Sequence, residues 1–261
     1  MKIILGTSLF VQISGVGKVV PLTPSQLPVG ARHGWHLSIP AGDGRAYRLA
    51  QIEQGPFRTR TEFPLIPPVE WTVWARVSAG DLPGTWGFGF WNEPFSAGLG
   101  LRGMRRALPV FPNAAWCFYA SPPSFLSLRD DQPGRGWMGM VFSSPTTSPL
   151  AWLPALPLLA GLLFPATRRG LRRLARRWIH DQAVILPVDV TAWHRYTLRW
   201  EHQRVSFEVD GTWSAALPFA PRGKMKALAW IDNQMAYFDL QGNLGSGILP
   251  NPAAWLEIAE E

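Results

Sequence analysis

The chain has 261 residues, 47% of them hydrophobic and 16% charged; that balance excludes a wholly disordered chain, and the length suits one large domain or a domain carrying an insertion. Net charge is +7, but Arg168, Arg169, Arg172, Arg173, Arg176 and Arg177 supply six of those charges within ten acid-free positions, so the excess belongs to one stripe and not to the body of the protein. Lysine is scarce and the arginines are not interleaved with aromatics, which argues against a nucleic-acid partner; the single Cys117 excludes an internal disulfide, and with five scattered histidines neither a metal nor a cofactor is expected.

Residues 1–34 read as an N-terminal segment. Lys2 and the apolar stretch 3–13 imitate a short secretory signal, but Gly6, Thr7, Ser8 and Gln12 interrupt it and its charged part is one lysine. A first strand or a loose terminus is the expectation, and a cytoplasmic or peripheral-membrane location is favoured over secretion.

From residue 35 the pattern is short strands punctuated by turns. Residues 47–54, 69–78, 84–91, 114–119 and 138–142 are strand-like, separated by Pro- and Gly-rich stretches such as Gln132-Pro133-Gly134. In 69–78, Trp71, Val73, Ala75 and Val77 oppose Thr72, Trp74, Arg76 and Ser78, the alternation of a strand with one face on a core.

Residues 144–187 interrupt this pattern. Positions 149–165 carry no charge and include Trp152, Leu158 and Phe164. The run is shorter than the roughly 20 residues of a spanning helix and contains Pro154 and Pro157, so a full crossing is not expected. Leu171, Leu174, Ala175, Trp178 and Ile179 then recur at helical spacing opposite the six arginines, predicting an amphipathic helix. Two placements stay open. Either Trp152, Leu158, Phe164 and the six arginines meet an anionic membrane surface, or the apolar face covers the strands and leaves the arginines in water.

Beyond the insertion the alternation sharpens. His194, Tyr196, Leu198 and Trp200 oppose Arg195, Thr197, Arg199 and Glu201; Val205, Phe207 and Val209 continue the pattern, and Asp210-Gly211 supplies a hairpin turn into a strand at 213–217. Residues 226–232 close the series. So many short strands at this spacing predict an all-β sandwich.

The stretch Trp193-His194-Arg195-Tyr196-Thr197-Leu198-Arg199-Trp200, followed by Val205-Ser206-Phe207-Glu208-Val209-Asp210-Gly211, resembles the W/F-H-x-Y-x-x-x-W … V/I-x-F/W-x-V-D-G hairpin of concanavalin A-like lectins and glucanases, above all the family 16 glycoside hydrolases. Residues 71–77 are similar to that family's E-A-R strand, and 84–91 to its G-x-W-P-A-F-W strand. The resemblance spans about residues 35 to 240 outside the insertion. It implies a concanavalin A-like jelly roll of two antiparallel sheets over residues 35–261, interrupted at 144–187 by a partly helical insertion, with a glycan or polysaccharide along the concave face. The catalytic part is missing. The family follows its tryptophan-rich strand with E-x-D-x-x-E, whereas residues 113–120 here contain no carboxylate and the motif occurs nowhere in the chain; retaining hydrolysis needs two carboxyls about 5–5.5 Å apart.

The expectation is a non-catalytic, lectin-like carbohydrate-binding protein, held at a membrane surface if the insertion faces lipid. Trp86, Trp91, Trp116 and Tyr119 are candidate stacking platforms, and Asn92, Asp232, Asn233 and Gln234 candidate polar partners, although each aromatic has a competing place in the core. Two alternatives stay open: a glycoside hydrolase with carboxylates relocated among Glu93, Asp130, Asp131 and Glu201, and a membrane-associated scaffold with no sugar ligand.

Overall fold

Alternating apolar and polar side chains build two seven-stranded antiparallel sheets that pack face to face. The structure, a computed structural model, describes residues 10–14, 16–94, 110–145 and 164–261. Its strands in chain order are β1 (Phe10–Ser14), β2 (Lys18–Pro21), β3 (His33–Ile39), β4 (Gly42–Asp43), β5 (Leu49–Gln54), β6 (Val69–Val77), β7 (Thr85–Trp91), β8 (Ala114–Ala120) and β9 (Gly136–Ser143). The helix α1 (Pro165–Ala175) follows, then β10 (His180–Ile185), β11 (His194–Trp200), β12 (Val205–Val209), β13 (Trp213–Leu217), β14 (Lys226–Asp232), β15 (Gln234–Phe238), β16 (Leu244–Ile248), β17 (Pro250–Asn251) and β18 (Ala254–Glu260). One sheet runs β13-β12-β11-β6-β18-β3-β2 and the other β1-β5-β14-β7-β8-β9-β10, with β15–β16 and β17–β4 as small accessory pairs. This is a jelly-roll-like sandwich with a helical insertion: the strand pattern predicts the sandwich, and the family resemblance implies the jelly roll.

The core lies between the sheets. Trp71, Val73, Ala75 and Val77 of β6 each expose 1% of their surface, as their alternation requires. From the opposing sheet Trp86 stacks on Trp137 at 4.1 Å and on Tyr119 at 5.6 Å, while Phe88 meets Trp71 edge-on. Gly139 of β9 sits under the Phe207 ring of β12, where a Cβ would approach the ring to 2.7 Å; a missing side chain thus sets how closely the two sheets approach here. Burying each such aromatic contributes about 1.5–3 kcal/mol, so the aromatic core is the main source of cohesion. The outer face of the β6 sheet is wet, and ion pairs cover it: Arg199 holds both Glu70 and Glu208, and Arg76 holds Glu257.

Several elements differ from expectation. The series does not end at Asp232: β15 to β18 follow, and β18 lies in the middle of its sheet between β6 and β3. Residues 10–21, in the segment set apart as N-terminal, add an edge strand to each sheet, β1 beside β5 and β2 beside β3. Residues 180–185, near the end of the expected insertion, are also sheet, because β10 pairs with β9 along its whole length.

The amphipathic helix is rearranged too. It ends at Ala175, Trp178 lies beyond it and is 52% exposed, and Arg172 points inward with 4% exposure. Arg172 can be buried because its guanidinium donates to the carbonyls of Phe238, Ser127 and Arg129 at 3.1–3.2 Å and pairs with Asp130, which answers the requirement that a buried charge be fully partnered. Arg169, Arg173 and Arg177 remain exposed. Trp152 and Leu158 lie outside the described residues. Among the described residues, no helix is long and apolar enough to cross a membrane.

Candidate functional site

On the sheet that contains β14, strand parity sends Lys226, Leu228, Trp230 and Asp232 to the outer face and Ala227, Ala229 and Ile231 to the core. On β8 the outer residues are Ala114, Trp116 and Phe118. Between these strands lies β7, whose outer positions include Gly87 and Gly89. Trp230 pairs with Gly87 and Trp116 with Gly89, so the two indoles meet across a strand that presents no side chain there, with ring centroids 5.6 Å apart. A Cβ on Gly89 would come within 2.6 Å of the Trp116 Cβ. Trp116 is the hub of the cluster: Phe118 stacks on it at 5.5 Å, and Trp91 and Phe142 flank it at 6.2 and 6.1 Å.

This aromatic floor opens into a cleft of about 790 Å³. Its wall is the β15–β16 hairpin together with residues 125–128. Phe125 N–H donates to the Ala236 carbonyl and Phe238 N–H to the Phe125 carbonyl, at 3.1 and 3.0 Å, which locks the two parts of the wall together.

One corner of the cleft is polar. Asp232 accepts from Tyr47 O–H at 3.0 Å, from Thr85 O–H at 2.8 Å, and from the backbone N–H groups of Thr85 and Gln234 at 3.2 and 3.1 Å. Trp230 Nε1–H donates in turn to Thr85 Oγ1 at 3.0 Å. Burial dominates over these donors and lifts the Asp232 carboxyl to about 6. The same burial, with Asp232 beside it, pushes Tyr47 well above the usual phenol range, so its hydroxyl stays a donor.

At the other end of β14 lies a buried charge cluster. Lys226 Nζ reaches Glu53 at 2.9 Å and Glu93 at 2.8 Å, and Gln51 Nε2–H donates to Glu53 at 2.7 Å. All three charged side chains are at most 6% exposed. Burial raises the Glu53 carboxyl above its ordinary value, with Lys226 pulling the other way. Glu93 has a left-handed backbone, φ 54°.

Of the residues singled out from sequence, the cleft brings together Trp91, Trp116, Asp232 and Gln234. Trp86 and Tyr119 point the other way, into the core, because they sit at inward positions of β7 and β8. Asn92 is buried, donating to the Phe111 carbonyl and accepting from Asn113 N–H. Asn233 faces away from the cleft and fastens the root of the hairpin, accepting from Arg48 N–H and donating to the carbonyls of Ala46 and Leu249. The alternative carboxylates are engaged elsewhere: Glu93 with Lys226, Asp130 with Arg172, Asp131 with Arg129, and Glu201 with Arg204.

Trp230, Phe118 and Tyr47 complete the site without having been singled out. The first was within reach, since Leu228, Trp230 and Asp232 share one face of 226–232 by simple alternation. Asp232 is the one carboxylate lining the cleft among the described residues, and no group of three potential metal ligands comes together among them. The arrangement offers a stacking surface with one hydrogen-bonded acidic corner. Among the described residues the cleft lining holds no second carboxyl to face Asp232.

No family model matches the chain, and no curated protein does. Among solved structures it is similar to a legume lectin-like domain from Entamoeba histolytica, at 8% identity and TM-score 0.44 over 97% of this chain and 90% of that one. It is similar to a Bacillus licheniformis β-glucanase at 10% identity and TM-score 0.44, over 98% and 94% of the two chains. A family 16 glycosyl hydrolase from Mycobacterium smegmatis gives 13% identity and TM-score 0.39, over 97% and 92%. What the cleft can hold follows from its own residues.

Proposed function

We propose that this protein is a non-catalytic carbohydrate-binding protein, with its ligand in the cleft above β7, β8 and β14. The observation that carries this is the Trp116-centred aromatic floor beside a single acidic corner: a pyranose stacks its C–H face on an indole, and a carboxylate accepts from sugar hydroxyls. Hydrolysis would need a second carboxyl facing Asp232 across the ligand. Binding of the purified protein to a glycan and glycoconjugate array, with Trp116→Ala in parallel, tests the proposal. Retention lost in the variant supports it. No retained sugar, or retention unchanged by the substitution, overturns it.

Attachment to an anionic membrane surface is a second reading, supported by different residues. Phe164 and Trp178 are 63% and 52% exposed, and between them Arg169 and Arg173 of α1 and Arg177 just beyond it face solvent, a pairing of apolar and basic groups suited to the headgroup region. Co-sedimentation with vesicles of mixed neutral and anionic phospholipid should weaken at least tenfold in Arg173→Glu/Arg177→Glu. Unchanged co-sedimentation would refute this attachment.

A further inference from the structure

The cleft is more apolar than a free sugar needs, and its one charged group among the described residues, Asp232, lies at one corner. Leu228, Ala114, Phe118 and Phe142 continue the floor away from Asp232, and Leu244 and Phe238 continue the wall. At the Asp232 corner Oδ1 already accepts from Thr85 and Gln234, whereas Oδ2 accepts from Tyr47 O–H alone among the described residues and keeps a lone pair for a ligand hydroxyl; Trp230 donates to Thr85. The indole N–H groups of Trp91 and Trp116 are buried without an acceptor among the described residues, so they present carbon, not a donor, to the cleft. The side chains of Gln234 and Ser246 line the cleft as well, and they stand on the hairpin wall.

A polysaccharide crossing this floor would bring several hydroxyls per ring against carbon, and each hydroxyl stripped of water without a partner costs affinity. An alkyl chain there loses nothing polar and gains from burial. The lone acidic corner also disfavours an anionic head group by repulsion. We infer that the ligand is a glycolipid: an uncharged sugar held at the Asp232–Gln234 corner and joined to an alkyl or isoprenoid chain that lies along the floor toward Phe142. This deepens the carbohydrate reading and rests on it.

Titration calorimetry with glucose and with hexyl, octyl and decyl β-glucosides, each below its micelle concentration, tests the inference. Each methylene buried in the cleft is expected to tighten binding by about fourfold, from roughly 0.8 kcal/mol per CH₂. Octyl glucoside should also bind at least tenfold tighter than an eight-carbon chain on an ethylene-glycol head. Leu244→Glu, at a position already 49% exposed and so compatible with folding, should weaken decyl glucoside at least tenfold and glucose hardly at all. Glucosides that bind alike at every chain length overturn the glycolipid inference and leave sugar binding intact. Chain-length dependence that ignores the head group overturns the sugar reading and the glycolipid with it, and no binding by any member of the series overturns both.

Discussion

Lys226→Met removes the ammonium that holds Glu53 and Glu93 together, and its consequence can be worked out from the geometry. Both carboxylates reach the same Nζ, at 2.9 and 2.8 Å, and all three side chains are at most 6% exposed. Two unit charges about 4 Å apart interact by about 4 kcal/mol at an effective dielectric constant near 20, so the substitution removes two attractions of that order and leaves a repulsion between the carboxylates. Measured losses on breaking buried pairs are about 3–5 kcal/mol, and the same loss is expected here above neutral pH. The sign of its pH dependence follows. Burial already raises the folded-state Glu53 carboxyl above its ordinary value of 4.5 while Lys226 pulls it down, so without Lys226 it rises further and the folded state takes up protons more readily than the unfolded one. The added destabilisation is then full at high pH and shrinks as pH falls toward 4.5. Urea unfolding followed by circular dichroism at pH 8 and pH 5, for both proteins, measures it. A loss below about 1 kcal/mol at pH 8, or an equal loss at both pH values, would refute the charge-cluster reasoning.

Other outcomes follow from the same structure. Asp232 is raised from 3.8 to about 6, so wild-type stability relative to Asp232→Asn should fall by about 3 kcal/mol as pH rises from about 4 through 6, then level off; parallel denaturation curves across that window would show it. Arg172→Ala strips the donor set that docks α1 and should cost about 3 kcal/mol in chemical denaturation, whereas exposed Arg173→Ala should stay within about 0.5 kcal/mol. Gly139→Ala forces a methyl against the Phe207 ring and should cost about 1–3 kcal/mol by overpacking, while Gly170→Ala, in open space on α1, should be neutral or stabilising in the same thermal melt.

Much of the sandwich was legible because its strands bury one face only. Trp71, Val73, Ala75 and Val77, or Tyr196, Leu198 and Trp200, announce their side of the sheet through a period of two. The final strand did not announce itself. Ala254-Trp255-Leu256-Glu257-Ile258-Ala259-Glu260 is composed largely of good helix formers, and tertiary pairing on both edges overrides that preference. Parity also explains the mixed result at the site. Trp86 and Trp116 look alike in sequence, but one occupies an inward position and the other an outward one, and only the assembled sheet distinguishes them. The inward turn of Arg172 was equally hidden, since the carbonyls that hold it come from residues 43 to 66 positions away.

The order of the strands also bears on how the protein reaches this state. Both sheets are split until late in the chain: β14 joins β5 to β7, and β18 joins β3 to β6. A ribosome making this chain therefore holds two unfinished sheets, each in two pieces, with four open inner edges in all; the arrival of residues 226–232 closes two of them and that of residues 254–260 the other two. Unpaired edges of apolar strands are templates for association with other chains. Nascent chains stalled before residue 226 should consequently be captured by holding chaperones, and release from them should coincide with the arrival of β18.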